Sequence, residues 1–329
     1  MSQSYGIELS LGRCDNVTHS FHTLTTSCWR KTFSVLKLAI STVLAGVLFA
    51  STPSRPPVNA AVSQTLLERA QAGDPAAQYE LGAAFETGDG RKADLREAVR
   101  WYRLAAAQSE PRAQFSLGSL YATGAFGAPD PQTAAAWYRR AAEGGNKEAQ
   151  CNLGAMYAQG VGVAKDPEEA ARWYGAAARQ DDEAAMYNLG SLYYGDFHKP
   201  EEAVVWFQRA AERGYSAADV ALGVLFVGGH GVPRNVDVAI ERLFRAAQKH
   251  NSSGLYLLGV LHSQDAMYCR DAPVAFAFFT LAALTGNATA MRAREQLEAT
   301  MTNDEVRKGQ SLAKNWRTGG IPSDFRNHD

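Results

Sequence analysis

From residue 75 onward the chain alternates between two kinds of stretch. In one kind, apolar side chains recur at helical spacing, as with Leu153, Met156 and Tyr157. In the other, alanines and aromatics recur at the same spacing, as with Ala170, Trp173, Tyr174 and Ala177. Both have the period of a helix with one buried face. Between them lie short polar segments rich in glycine. The pattern predicts pairs of helices, the first of each pair over residues 75–87, 111–123, 147–159, 183–194, 216–227 and 252–263.

Three columns fix the register of the pairs. Leu-Gly occurs at Leu81-Gly82, Leu117-Gly118, Leu153-Gly154, Leu189-Gly190, Leu222-Gly223 and Leu258-Gly259, so the glycines are 36, 36, 36, 33 and 36 residues apart. A tryptophan column follows at Trp101, Trp137, Trp173 and Trp206, continued by Arg242 and Phe278. An Ala-Ala pair stands at 105–106, 141–142, 177–178, 210–211, 246–247 and 282–283. Six repeats follow: 75–110, 111–146, 147–182, 183–215, 216–251 and 252–286. A mid-helix glycine costs about 1 kcal/mol against alanine. Its return in every repeat predicts that a neighbouring helix comes too close for a side chain.

The stretch "YAQGVGVAKD" (157–166) has the glycine spacing of a phosphate-cradling loop. Such a loop follows a strand, and no β-rich run precedes it. Glycine recurs at the same place in Gly88, Gly124, Gly160 and Gly229, and two residues on in Gly90, Gly162 and Gly231. An acidic or amide residue then follows at Asp94, Asp130, Asp166, Asn235 and Asp271. These are turn residues. Glycine ends the first helix in a left-handed conformation, and the acid or amide caps the second. In "DPEEA" (166–170) Asp166 takes the N-cap, Pro167 the first helical position and Glu169 the third, close to a capping box.

The Leu-Gly helix, the Gly-x-Gly-Val turn, the aspartate and the Ala-x-x-Trp-Tyr-x-x-Ala-Ala helix resemble the Sel1-like repeat family. "AQCNLGAMYAQGVGVAKDPEEAARWYGAAA" (149–178) carries nearly the whole pattern. The resemblance implies an all-α fold, an α/α solenoid related to tetratricopeptide arrays. It also implies an interaction scaffold, in bacteria often periplasmic or secreted. Repeat four, "YYGDFHKPEEA" (193–203), has a shortened turn without Gly-x-Gly, and repeat six has Asp265 and Met267 in place of both turn glycines. These two turns are expected to be stiffer or differently shaped. A cysteine-rich branch of the family closes each repeat with a disulfide and has penicillin-binding activity. This sequence lacks those cysteines.

The array needs sealed ends, because an inner repeat is apolar on both sides. Residues 61–74 resemble the second half of a repeat, with Leu66, Leu67 and Ala70 covering repeat one. Residues 287–316 are expected to form C-terminal capping helices, the second opened by the capping-box pair Thr302 and Glu305 and packed through Val306, Leu312, Ala313 and Trp316. Residues 317–329 read as a flexible tail. At the other end, residues 1–60 are a leader. Three cations in 29–37 precede the uncharged "LAISTVLAGVLFA" (38–50) and a small-residue exit, the pattern of a secretory signal peptide cleaved after Ala50 or Ala60. Thirteen helical residues reach roughly 20 Å, short of a bilayer of about 30 Å. The alternative is an inner-membrane anchor over residues 33–50.

Charge and side-chain chemistry then narrow the function. The 329 residues carry a net charge of -1, and without the first 60 there remain 28 basic and 32 acidic groups. A mildly acidic body argues against nucleic acid as a partner. Cys14 and Cys28 lie in the leader, leaving Cys151 and Cys269 about three repeats apart. At roughly 10 Å per helix layer they are too distant to bridge. His198, His230, His250, His262 and His328 show no metal-ligand spacing. His262 and Cys269 near an irregular turn are the closest approach to a nucleophile pair. No serine stands in a nucleophile elbow. No catalytic residue, metal or cofactor is therefore assigned.

The resemblance places first helices along a concave face. It makes Tyr79, Glu80, Phe115, Ser116, Asn152, Tyr187, Asn188 and Tyr256 the candidate partner-binding residues, with Cys151 in the same aromatic slot. Aromatics and amides suit a peptide partner, although the aromatic column could equally be interhelical core. The expected function is a non-enzymatic envelope scaffold, periplasmic or secreted, that binds a protein or peptide. The competing expectations are an envelope enzyme or sensor acting on cell wall or β-lactams (β-lactamase-like or hydrolase-like) and a glycan-binding module.

Overall fold

The computed structural model describes residues 64–88, 92–264 and 270–317. The leader, Gly90, Asp265, Met267, Cys269 and the tail fall outside the described residues. Those described contain fifteen α-helices and no strand. The architecture is the all-α helical-hairpin solenoid expected from the repeat columns. Helix α1 (Gln64–Gln71) precedes six hairpins: α2 (Pro75–Thr87) with α3 (Leu95–Ala107), α4 (Pro111–Thr123) with α5 (Pro131–Glu143), and α6 (Lys147–Gln159) with α7 (Pro167–Ala178). Then come α8 (Glu183–Gly195) with α9 (Pro200–Glu212), α10 (Ser216–Gly228) with α11 (Val236–Gln248), and α12 (Ser252–His262) with α13 (Ala272–Leu284). Helices α14 (Ala288–Glu298) and α15 (Asn303–Arg317) close the chain.

The described residues divide into two compact units, one of 64–218 with 230–233 and one of 219–229 with 234–317. In the first, each helix from α1 to α9 packs on the next. Leu66 and Leu67 of α1 lie against a cluster of Ala70, Ala77, Leu81 and Trp101. In the second unit α12 packs on α11 and α13, and α14 on α13. Helix α15 lies against α13 too, burying Leu312, Ala313 and Trp316. The Trp316 ring stands edge-on to Phe244 at 5.2 Å and to Phe278 at 5.8 Å. Its start is the capping box read from sequence. The Thr302 N–H and hydroxyl donate to Glu305 Oε2 at 2.7 and 2.9 Å, and the Glu305 N–H returns to Thr302 Oγ1 at 3.3 Å.

The Leu-Gly glycine has the packing cause inferred for it. A β-carbon on Gly82, Gly118 or Gly154 would sit 2.7, 2.7 or 2.8 Å from the ring of Tyr102, Tyr138 or Tyr174 on the second helix. Gly190, Gly223 and Gly259 meet Phe207, Leu243 and Phe279 in the same way, at 2.9, 2.7 and 2.6 Å. The side chain that fills the notch is the one after the tryptophan column. Trp101 instead packs in a cluster with Ala70 of α1 and with Ala77 and Leu81 of α2.

The turns hold two kinds of glycine. Gly88, Gly124 and Gly160 end their helices in the left-handed region, at φ 76°, 73° and 73°. Gly162 and Gly231 are left-handed too, but they also touch the previous hairpin: a β-carbon would lie 2.2 Å from the Pro131 carbonyl oxygen and 2.4 Å from the Pro200 carbonyl carbon. Asp94, Asp130, Asp166, Asn235 and Asp271 cap the second helices as expected. A second cap column starts the first helices at Asp74, Asn146, Asp182 and Asn251, and recurs at Asn287 before α14. The shortened fourth turn is differently shaped. Asp196 ends α8 in a right-handed conformation, His198 takes φ 54°, and Lys199 gives α9 no side-chain cap.

Candidate functional site

The aromatic slot of the first helices is a joint inside each hairpin. Tyr79 faces Tyr102 at 5.8 Å, Phe115 faces Tyr138 at 5.5 Å, Tyr187 faces Phe207 at 5.4 Å and Tyr256 faces Phe279 at 5.8 Å. Each first-helix ring thus lies on the ring that fills the glycine notch. Phe115 and Tyr187 are buried, and so is Cys151 in the same slot. These two aromatics offer a partner no surface, which corrects the groove assignment made from sequence. Burial also raises the Tyr187 and Tyr174 phenols above the ordinary tyrosine range, so they stay protonated. Tyr79 and Tyr256 remain half-buried. The Tyr79 ring carries the Arg112 guanidinium at 4.5 Å, which Glu110 holds by an ion pair of 2.7 Å.

The neighbouring column divides as well. Ser116 and Asn152 are buried. Asn152 and Ser119 bond the Tyr138 hydroxyl, whose pKa burial nevertheless raises. Asn152 therefore fastens the third hairpin to the second, and a contact role for it is set aside with that of Ser116. Glu80 and Asn188 are half-exposed, with the Asn188 amide 3.9 Å from Cys151 Sγ. Of the eight residues singled out, Tyr79, Glu80 and Asn188 in the first unit and Tyr256 in the second keep accessible surface.

One polar column passed unread in the sequence. Gln78, Gln114 and Gln150 are buried, and each side-chain amide donates to the carbonyl of the alanine eight residues earlier, Ala70, Ala106 or Ala142. Gln78 and Gln150 accept in turn from Gln108 and Gln180, both at 2.9 Å. These bonds give each helix-end carbonyl a second donor beside the turn N–H of Gly73, Ser109 or Gly145. The signal was present as a glutamine four residues before the Leu-Gly glycine.

In the fifth repeat Asp219 stands in that column. It is fully buried, with Arg242 and Arg245 at 3.6 and 3.7 Å, beyond hydrogen-bond reach. Burial raises its carboxyl pKa, while Arg245, Arg242 and Lys249 pull it back. The native state then holds this proton more tightly than the unfolded chain, so stability falls as pH rises above about 4. Asp219→Asn removes the desolvated charge, and its two arginines keep access to water. The variant should match or exceed the parent by about 0–2 kcal/mol at pH 7 and flatten the pH dependence of urea unfolding above about pH 4.

The histidines among the described residues do not converge. His230 lies in its turn, edge-on to Tyr194 at 6.2 Å. His262 is buried, stacked on Phe278 at 5.8 Å, and Cys269 lies outside the described residues. Among the described residues no group of three His, Cys, Asp or Glu side chains is placed to hold a metal.

Tandem hairpins joined by notched glycines and buried amides define a helical repeat protein. The chain belongs to the Sel1 repeat family, whose pattern matches residues 75–110, 111–146, 147–182, 183–215, 216–251 and 252–287. Proteins of this family generally mediate protein–protein interaction and are typically non-catalytic scaffolds. Among solved structures the chain is similar to c5321, a protective antigen of uropathogenic Escherichia coli strains that displays an SLR fold. The identity is 29% and the TM-score 0.72, over 89% of this chain and 62% of that one. The chain thus matches less than two thirds of that antigen's length. It is also similar to a Sel1 repeat protein from Oxalobacter formigenes, with 26% identity and a TM-score of 0.59 over 68% of this chain and 97% of that one. No curated protein matches the chain.

Proposed function

We propose that the chain is a non-enzymatic scaffold of the bacterial envelope that binds a protein or peptide partner on the face of its first helices. The observation that carries this is the division of polar and aromatic side chains on those helices. One set is consumed in fastening hairpins together, while Tyr79, Glu80, Asn188 and Tyr256 keep surface of their own. Large rings beside charged and amide groups give contact area and orientation together. The charged and apolar segments of residues 29–50 support export to the periplasm or beyond. The likeness to a protein described as a protective antigen is in keeping with export.

A photo-crosslinking side chain placed at the half-exposed Glu80 tests the partner. In intact cells it should yield one dominant protein adduct, and absence of any adduct would count against a binding face there. Residues 1–60 fused to alkaline phosphatase test export. Active phosphatase is expected, and an inactive fusion retained in the cytoplasm would remove the envelope from the proposal.

A further inference from the structure

The first unit contains an open cleft of about 430 Å³ on the outer side of α5, within the size range of small-ligand sites. It is lined by Ala135, Ala136, Arg139 and Arg140 of α5 and by Gly162 and Val163 of the third turn. Two features of the sequence build it. The position of Ala136 is held by Arg100, Arg172, Val205 and Glu241 in the first, third, fourth and fifth repeats, and in the sixth by Ala277, which is buried, so here an exposed helix surface is cut back to a methyl group. The second is Gly162, whose bare backbone rests on the Pro131 carbonyl and brings the third turn down beside α5.

The two arginines are held in place but not neutralised. Arg140 lies 4.9 Å from the centre of the Trp137 ring. Arg139 lies 5.8 Å from the Tyr157 ring and donates to its hydroxyl. Arg100 and Arg172 also rest on tryptophans, at 5.5 and 4.5 Å, but each is paired with a glutamate, Glu97 at 3.2 Å and Glu169 at 2.6 Å. Among the described residues no such ion pair engages Arg139 or Arg140. Glu143 also lines the cleft, and no ion pair joins it to either arginine. A guanidinium already laid on a ring loses little freedom when its N–H edge meets a carboxylate.

We propose that this cleft docks an acidic segment of a partner protein, with one or two carboxylates on Arg139 and Arg140 and an aliphatic side chain on Ala135 and Ala136. The inference rests on the reading of the chain as a protein-binding scaffold and adds a second face and a partner chemistry to it. A long polyanion fits less well, because the chain beyond the first 60 residues carries 32 acidic against 28 basic groups.

Fluorescence anisotropy with a labelled nonapeptide of alternating glutamate and leucine tests the proposal, against a lysine–leucine peptide and a short oligothymidylate. The full chain should bind the acidic peptide saturably and show no saturation with the other two. Ala136→Arg, which restores the side chain of the neighbouring repeats, and Arg140→Gln should each weaken binding about tenfold or more. Both positions are exposed, so thermal unfolding should be unchanged. The cleft is refuted by equal affinity in parent and variants, by no saturation up to about 1 mM peptide, or by preference for the oligothymidylate. Crosslinking from Glu80 separates this from the wider function: an adduct there without acidic-peptide binding removes the cleft and leaves the scaffold.

Discussion

Gly162→Ala should destabilise the protein by about 3–5 kcal/mol, while Gly160→Ala, two residues away in the same turn, should cost about 1–2 kcal/mol. Both glycines are left-handed, at φ 71° and 73°. That conformation alone accounts for the smaller loss. The difference comes from what a β-carbon would meet. At Gly160 the nearest atom is the Lys165 β-carbon at 3.2 Å, and a small shift relieves the contact. At Gly162 it is the Pro131 carbonyl oxygen at 2.2 Å, with the carbonyl carbon at 2.5 Å. This is backbone at the start of α5 and cannot swing aside. The turn must lift off the preceding hairpin, so the loss falls on the coupling between the second and third repeats. Chemical denaturation of the two variants reads the difference directly. Equal losses would mean that the second glycine serves only its own conformation.

The notch between Gly154 and Tyr174 should carry the other large effect. Tyr174 is buried in the core it shares with Cys151, Ala177 and Leu189. Tyr174→Ala deletes the ring and should cost about 3–5 kcal/mol, from lost burial and the cavity left behind. Gly154→Ala attacks the same joint from the other side. Helix propensity favours it by about 1 kcal/mol, but the added methyl would lie 2.8 Å from the Tyr174 Cδ1. Overpacking of this kind costs about 1–3 kcal/mol, and the burial of the ring places it near the upper end. The net expectation is a loss of about 2 kcal/mol. Truncating Tyr174 in the Gly154→Ala background should then cost less than it does alone, since the clash goes with the ring.

The repeats were legible in the sequence because each device recurs. One mid-helix glycine is ambiguous, but six at near-constant spacing require a shared cause, and the large side chain in each notch, a ring in five and Leu243 in the fifth repeat, is that cause. Turn glycines and aspartate caps were readable for the same reason. The site was less legible. An aromatic column on a helix looks alike whether its rings face a groove or the partner helix. Phe115 and Tyr187 face the partner helix, because the notch glycine draws the second helix up against them. The buried glutamines escaped notice because polar side chains at helical spacing suggest a solvated surface. Only the packing shows Gln150 reaching the Ala142 carbonyl. The cleft beside α5 depends on a missing side chain at Ala136, which shows only once the turn carrying Gly162 is seen beside it.

The central structural claim is that the Leu-Gly glycine exists to admit a large side chain from the second helix, a ring in five of the six repeats. A second mid-helix glycine nearby supplies the control. Gly175, in α7, has open space at its β-position, with only the end of the Arg179 side chain at 3.8 Å. Urea unfolding of Gly154→Ala and Gly175→Ala at neutral pH sets the two against each other. The expected result is opposite signs: the first variant loses about 2 kcal/mol, and the second gains about 0.5–1 kcal/mol from helix propensity alone. Stabilisation of both variants would contradict the claim, because the Leu-Gly glycine would then be an ordinary helix defect that alanine repairs.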